Sequence, residues 1–113
     1  SGTNNLAMDD FYFVPQYEEI VGNIKERFPK ARIALISLLP VYFPWQPASL
    51  VPSLNIQLQE MCNRRNVIYV DLHKRFLDCM EKGVDPFDDD GVHLNHKGYD
   101  LWGQSLREAF SWL

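Results

Sequence analysis

Cysteine, basic charge and long apolar runs are all scarce in this 113-residue chain, and each scarcity excludes a class of protein. Two cysteines, Cys62 and Cys79, are too few for a disulfide scaffold. They are expected as buried thiols, which leans toward a reducing, cytoplasmic compartment. Eleven Lys and Arg against fifteen Asp and Glu leave a formal charge of −4. Phosphate binding needs a basic face, so nucleic acid is not an expected partner. No apolar run approaches the ~20 residues of a membrane span. The longest, Ile33–Val41, is broken by Ser37 and Pro40. Internal repeats, low-complexity tracts and Cys-x-x-Cys are absent. What remains, 46% hydrophobic and 23% charged, describes one globular unit rather than a disordered chain.

The apolar pattern alternates between helix and strand. Tyr17, Ile20, Val21, Ile24 and Phe28 share one helical face, with Pro15 in the first turn and Pro29 as a stop. Arg32–Leu38 is a short apolar run without period-two alternation, which predicts a strand covered on both faces. Leu39–Pro52 holds four of the seven prolines together with Tyr42, Phe43 and Trp45, and reads as a long loop. Ser53 is the expected cap of a second helix whose face carries Leu54, Leu58, Met61 and Cys62. Val67–Leu72 is a second strand, and His73–Lys82 a short helix ending at Gly83. Asp85–Asn95 is an acidic loop. The last helix runs from His96 to Ser111, capped by Asn95, with Tyr99, Trp102, Leu106, Ala109, Phe110 and Leu113 as its apolar face.

Alternation of this kind implies crossover connections and a parallel sheet. Two strands alone do not make a stable parallel sheet. The expectation is therefore an α/β domain whose N-terminal strands are missing. The sheet would be completed by the other half of the same domain, or by a second copy through strand pairing. Ser1–Asn5 reads as the loop leaving an absent strand.

Two constellations carry possible chemistry. Gly2-Thr3-Asn4 stands at the start, and Asp90-Gly-Val-His93 leads into Leu94-Asn-His-Lys-Gly-Tyr99. An Asp three residues before a His, on an irregular loop, can curl back to Nδ1 and leave Nε2 as a general base. It can also simply cap a turn, with His93 a surface or satisfied core residue. Asn4 is a candidate oxyanion donor or a simple turn residue. In this order, the two constellations resemble the SGNH, or GDSL-type, hydrolases. Phe28-Pro-Lys-Ala-Arg-Ile through Leu39-Pro40 resembles that family's fourth strand.

The resemblance spans the chain but only the later part of the family's domain. It implies a three-layer α/β/α, flavodoxin-like fold. It implies a catalytic triad in which Asp90 orients His93 and Asn4 helps form the oxyanion hole, on a loop shared with Gly2. One departure is Asn5, where many members carry Asp. The family's Gly-Asp-Ser is absent, and no Gly-x-Ser-x-Gly occurs. None of Ser1, Ser37, Ser49, Ser53, Ser105 or Ser111 sits in a supporting motif, so the nucleophile is expected from a missing N-terminal part. The reaction implied is hydrolysis of a small-molecule, glycan or lipid ester, with the 113 residues inactive alone. A non-catalytic binding or assembly module built on the same fold is the alternative.

Tyr42, Phe43 and Trp45 follow a parallel strand's carboxyl end, where ligands bind in open α/β sheets. They either line a substrate pocket or pack the loop down. Asn55, Arg64 and Arg65 have only solvent-face or capping readings, and Asp71 reads as a turn residue. No cofactor or metal is expected. Aligning Gly91 with the EF-hand glycine puts Pro86 and Lys97 at positions that need carboxylates. His73, His93 and His96 match no zinc spacing.

Overall fold

A computed structural model describes residues 13–111. Gly2 and Asn4 lie outside that range, as does Leu113. The elements run α1 (Phe13–Arg27), β1 (Ala34–Ile36), α2 (Leu50–Arg65), β2 (Ile68–Val70), α3 (Leu72–Glu81) and α4 (His96–Ser111). The strands pair in parallel with Ala34 opposite Ile68 and Ile36 opposite Val70, so α2 is the crossover. The ladder extends one bond each way, from Ile68 N–H to Ile33 C=O (2.9 Å) and from Ser37 N–H to Val70 C=O (3.0 Å). The described residues thus form a small mixed α/β unit with a two-stranded parallel sheet and four helices. That matches the expected α/β class. The three layers implied by the family resemblance are not complete within these residues.

Several local expectations need correction. The inward face of α1 is Val14, Tyr17 and Val21, spaced three and four apart, while Ile20 and Phe28 are exposed. Val14 packs with Leu38, Val51, Leu54 and Leu58. Val21 packs with Cys62 and Val67. At the same helix pair, Glu18 accepts from Arg64 (2.9 Å) and Arg65 (2.8 Å), both exposed as expected. The loop after β1 ends earlier than predicted, because α2 starts at Leu50 and contains Pro52 and Ser53. Pro52 is tolerated there since first-turn N–H groups have no partner within a helix. Ser53 is therefore inside the helix, and its N–H donates to Ser49 C=O (3.1 Å).

The strands are three residues each, shorter than the apolar runs suggest. Of their six residues only Val70 is buried; the others are half-buried. The expectation of strands enclosed on both faces fails among the described residues, since too few elements stand beside them. Asp71 accepts from Lys74 N–H (3.1 Å), capping α3, and Gly83 takes a positive φ of 83° just past its end.

Helix α4 has the predicted bounds but a different inward face. Gly98, Leu101 and Ser105 turn toward the interior, while Tyr99, Trp102 and Phe110 are exposed. Close approach is the reason. A Cβ on Gly98 would sit 2.3 Å from the Pro86 carbonyl oxygen, so only glycine fits. Cys62 and Cys79 are both buried and free. No described helix is long and apolar enough to cross a membrane.

Candidate functional site

Two loops converge beyond the carboxyl ends of the strands. Val41 follows β1, Leu72 follows β2, and both join one apolar cluster with Phe76 and Phe87. The rings of Phe76 and Phe87 meet edge to face at 5.3 Å. Phe43 from the first loop packs on this cluster, as do Val92 and Leu94 from the second. The cluster is thus a shared base for the aromatic loop and the acidic loop.

On the acidic loop, Phe87 and Leu94 form an antiparallel bridge. Asp88 N–H donates to His93 C=O (2.8 Å), and Gly91 N–H returns to Asp88 C=O (2.9 Å). The reversal passes through Gly91 at φ 70°, a conformation that glycine adopts without strain. Asp90 is folded into the turn so formed. Its Oδ1 accepts from the N–H groups of Val92 (2.8 Å) and His93 (2.9 Å). Its Oδ2 accepts from His93 Nδ1.

The bonds to Asp90 set both charges. Donation from the His93 ring, then from the two amides, holds the Asp90 carboxyl down at about 2. The same carboxylate raises His93 above its ordinary 6.5, chiefly through the Nδ1 bond. The imidazole is 79% exposed, and its Nε2 bonds to no described residue. An imidazole oriented at one nitrogen and open at the other can accept a proton from a donor brought to it.

Among the other sequence-derived candidates, Tyr42 and Trp45 are exposed and Phe43 is half-buried. Phe43 stacks on Trp45 at 5.0 Å and 22°. Phe43 therefore anchors the loop, while the other two face solvent. His73 stands in the first turn of α3. It is half-buried, its N–H donates to Ser37 Oγ (2.9 Å), and burial lowers its basicity. The described residues contain no group of three His, Cys, Asp or Glu able to hold a metal. A cleft of about 690 Å³ between β2, α3 and α4, crossed by the Arg75–Glu108 pair, includes neither Asp90 nor His93.

Asn55 is not the solvent-face or capping residue that the sequence suggests. It is buried, and its side chain grips the backbone of Leu38 at the exit of β1. Leu38 N–H donates to Asn55 Oδ1 (2.7 Å), and Asn55 Nδ2 donates to Leu38 C=O (3.1 Å). The signal was present in the spacing, since Val51, Asn55, Leu58 and Cys62 share a helical face.

Parallel strands, a crossover helix and an Asp–His pair on a loop beyond the strand ends make this an α/β unit with a candidate acid–base pair. The chain belongs to the GDSL-like lipase/acylhydrolase family, whose model matches residues 1–101. No curated protein matches it.

Proposed function

We propose that this chain supplies the acid–base part of a serine esterase or acylhydrolase. The observation that carries the reading is the Asp90–His93 pair, with Nδ1 bonded to the carboxylate and Nε2 open. In this reading a serine outside the 113 residues attacks an ester carbonyl. His93 Nε2 takes the serine proton and returns it to the departing alcohol, then activates water to release the acyl group. Asp90 holds the imidazole in the tautomer with its proton on Nδ1 and stabilises the imidazolium. Asn4, two residues after Gly2, donates to the oxyanion; both lie outside the described residues. Exposed Tyr42 and Trp45, braced by Phe43, line the approach for a small-molecule, glycan or lipid ester.

The reading also makes residues 1–113 the C-terminal part of a single three-layer domain. The half-covered strands support this, as does the exposed stripe Tyr99, Trp102 and Phe110 on α4. Studied alone, the chain should self-associate through its unpaired strand edges. A monodisperse monomer in sedimentation would contradict that.

A second reading, a non-catalytic binding or assembly module, has one observation in its favour. Ser37 Oγ accepts from His73 N–H, while Ser105 Oγ donates to Leu101 C=O and Ser111 Oγ to Glu108 C=O. None of these serines is bonded to His93. The test is fluorophosphonate labelling and p-nitrophenyl ester turnover by the chain together with a Gly-Asp-Ser-bearing N-terminal part, in one polypeptide or two. The esterase reading expects a covalent serine adduct and turnover that falls about 10⁴-fold or more in His93→Ala. No adduct, or turnover indifferent to His93→Ala, favours the module.

A further inference from the structure

Asn95 does more than cap a helix. Its Oδ1 accepts from Gly98 N–H (3.1 Å), the bond that caps α4. Its Nδ2 faces the other way and donates to Asp85 C=O (2.6 Å) and Phe87 C=O (3.0 Å). Its own N–H donates to Pro86 C=O (3.1 Å). One side chain thus ties the first turn of α4 to the start of the acidic loop, and the backbone of the same residue adds a third tie. Gly98 closes the clip from the helix side, because its missing side chain lets Pro86 C=O lie against the helix.

Asp90 and His93 hang between these fixed points. The segment enters at Phe87, which Asn95 holds, and leaves at Leu94, which precedes Asn95. Among the described residues Asp90 bonds only within its own turn, to Val92 and His93. The exposed pair therefore has no deep packing of its own, and its placement depends on the two ends of the loop and on Val92, which packs on the apolar cluster between them.

We infer that Asn95 is a positioning residue for the Asp90–His93 pair, acting as a clip between the acidic loop and α4. The inference deepens the proposed function without depending on turnover, since the geometry of the pair can be read directly. The informative substitution is Asn95→Ser. Serine caps a helix about as well as asparagine, but has no amide to reach Asp85 and Phe87. Helix capping and loop holding are thereby separated.

The measurement is the titration of His93 by imidazole proton NMR, with Asp90→Asn as the reference for a lost partner. In the unmodified chain the midpoint lies above 6.5, with Asp90 and, more weakly, Asp88 as the charges that raise it. Asn95→Ser should lower the midpoint toward the Asp90→Asn value, while α4 keeps its helical signals. Where turnover is present, kcat should fall with KM nearly unchanged. A midpoint unchanged from the parent in a variant that only melts earlier would overturn the inference, leaving Asn95 purely structural. Should Asn95→Ser fail to fold, the unmodified chain still decides by amide relaxation. Val92 and His93 N–H groups as rigid as those of Asn95 and Gly98 support the clip. Fast motion confined to residues 90–93 overturns it.

Discussion

The aromatic loop and the acidic loop rest on one apolar cluster, yet they are held by different forces. The aromatic loop is fixed by shape. Val41 is buried, Phe43 packs on the core, Pro40, Pro44 and Pro47 restrict its backbone, and Asn55 grips its root at Leu38. The acidic loop also sends Phe87, Val92 and Leu94 into the cluster, but its tip is exposed and built from hydrogen bonds that converge on Asp90 and Asn95. A wall for a ligand needs only a surface in the right place. A proton-transfer pair needs particular atoms within hydrogen-bond reach, which directional bonds supply and packing alone does not.

The sharpest way to break the contrast is Asp90→Asn. The variant keeps the size of the side chain but loses the charge that fixes the His93 tautomer. Turnover should fall about 10⁴-fold. The pH dependence should move as well. A base must be neutral to act, so kcat/KM in the parent rises with pH through a midpoint above 6.5, and in Asp90→Asn that limb shifts to lower pH. The effect on stability has a defined window. Asp90, depressed to about 2, contributes stability that is present above its unfolded value near 3.8 and is lost as pH falls through 2. His93, raised, contributes stability that is present below 6.5 and lost as pH rises through its folded value. Urea melts of parent and variant should therefore differ most between about pH 4 and 6, converge as pH falls through 2, and narrow as pH rises through the folded His93 value.

The opposite test is Asn55→Ala, which strikes the root of the aromatic loop and leaves the acidic loop untouched. Both backbone groups of Leu38 lose their partner in a buried setting. At about 1–3 kcal/mol for each unsatisfied group, the loss of stability should reach about 2–6 kcal/mol by chemical denaturation. The His93 titration should be unchanged in the folded fraction. A shifted midpoint would mean that the two loops are coupled through the cluster rather than merely seated on it.

Legibility in the sequence follows the same division. The order of elements, the bounds of α4 and the Asp90–His93 pairing could all be read, because each depends on neighbours in sequence. Asn95 as a cap and Gly83 as a stop belong to the same local chemistry. Faces were harder. Ile20 on α1, Phe28 just past its end, and Tyr99, Trp102 and Phe110 on α4 fit apolar stripes but are exposed. Periodicity finds the apolar side of a helix, not the element that covers it. The stripe and the packed face of α4 differ because Gly98 and Ser105 permit a closer approach than large side chains do. Asn55 was missed for a related reason. A polar residue on an inward face is legible only once the backbone groups that need it are known, and those lie 17 positions away.

The smallest effect belongs to Trp45, and it tests the aromatic loop as a wall. Trp45 is 60% exposed and touches the fold through its stack on Phe43. Removing an exposed ring forfeits little burial, so Trp45→Ala should melt within about 0.5 kcal/mol of the parent. Its loss should appear in ester binding instead. A residue that contacts a substrate equally in the ground and transition states raises KM and leaves kcat alone. An increase in KM of several-fold with unchanged kcat and an unchanged His93 titration would keep the two loops in separate roles. A fall in kcat would show that Trp45 helps place the reacting ester against His93, and the division between wall and acid–base loop would have to be redrawn.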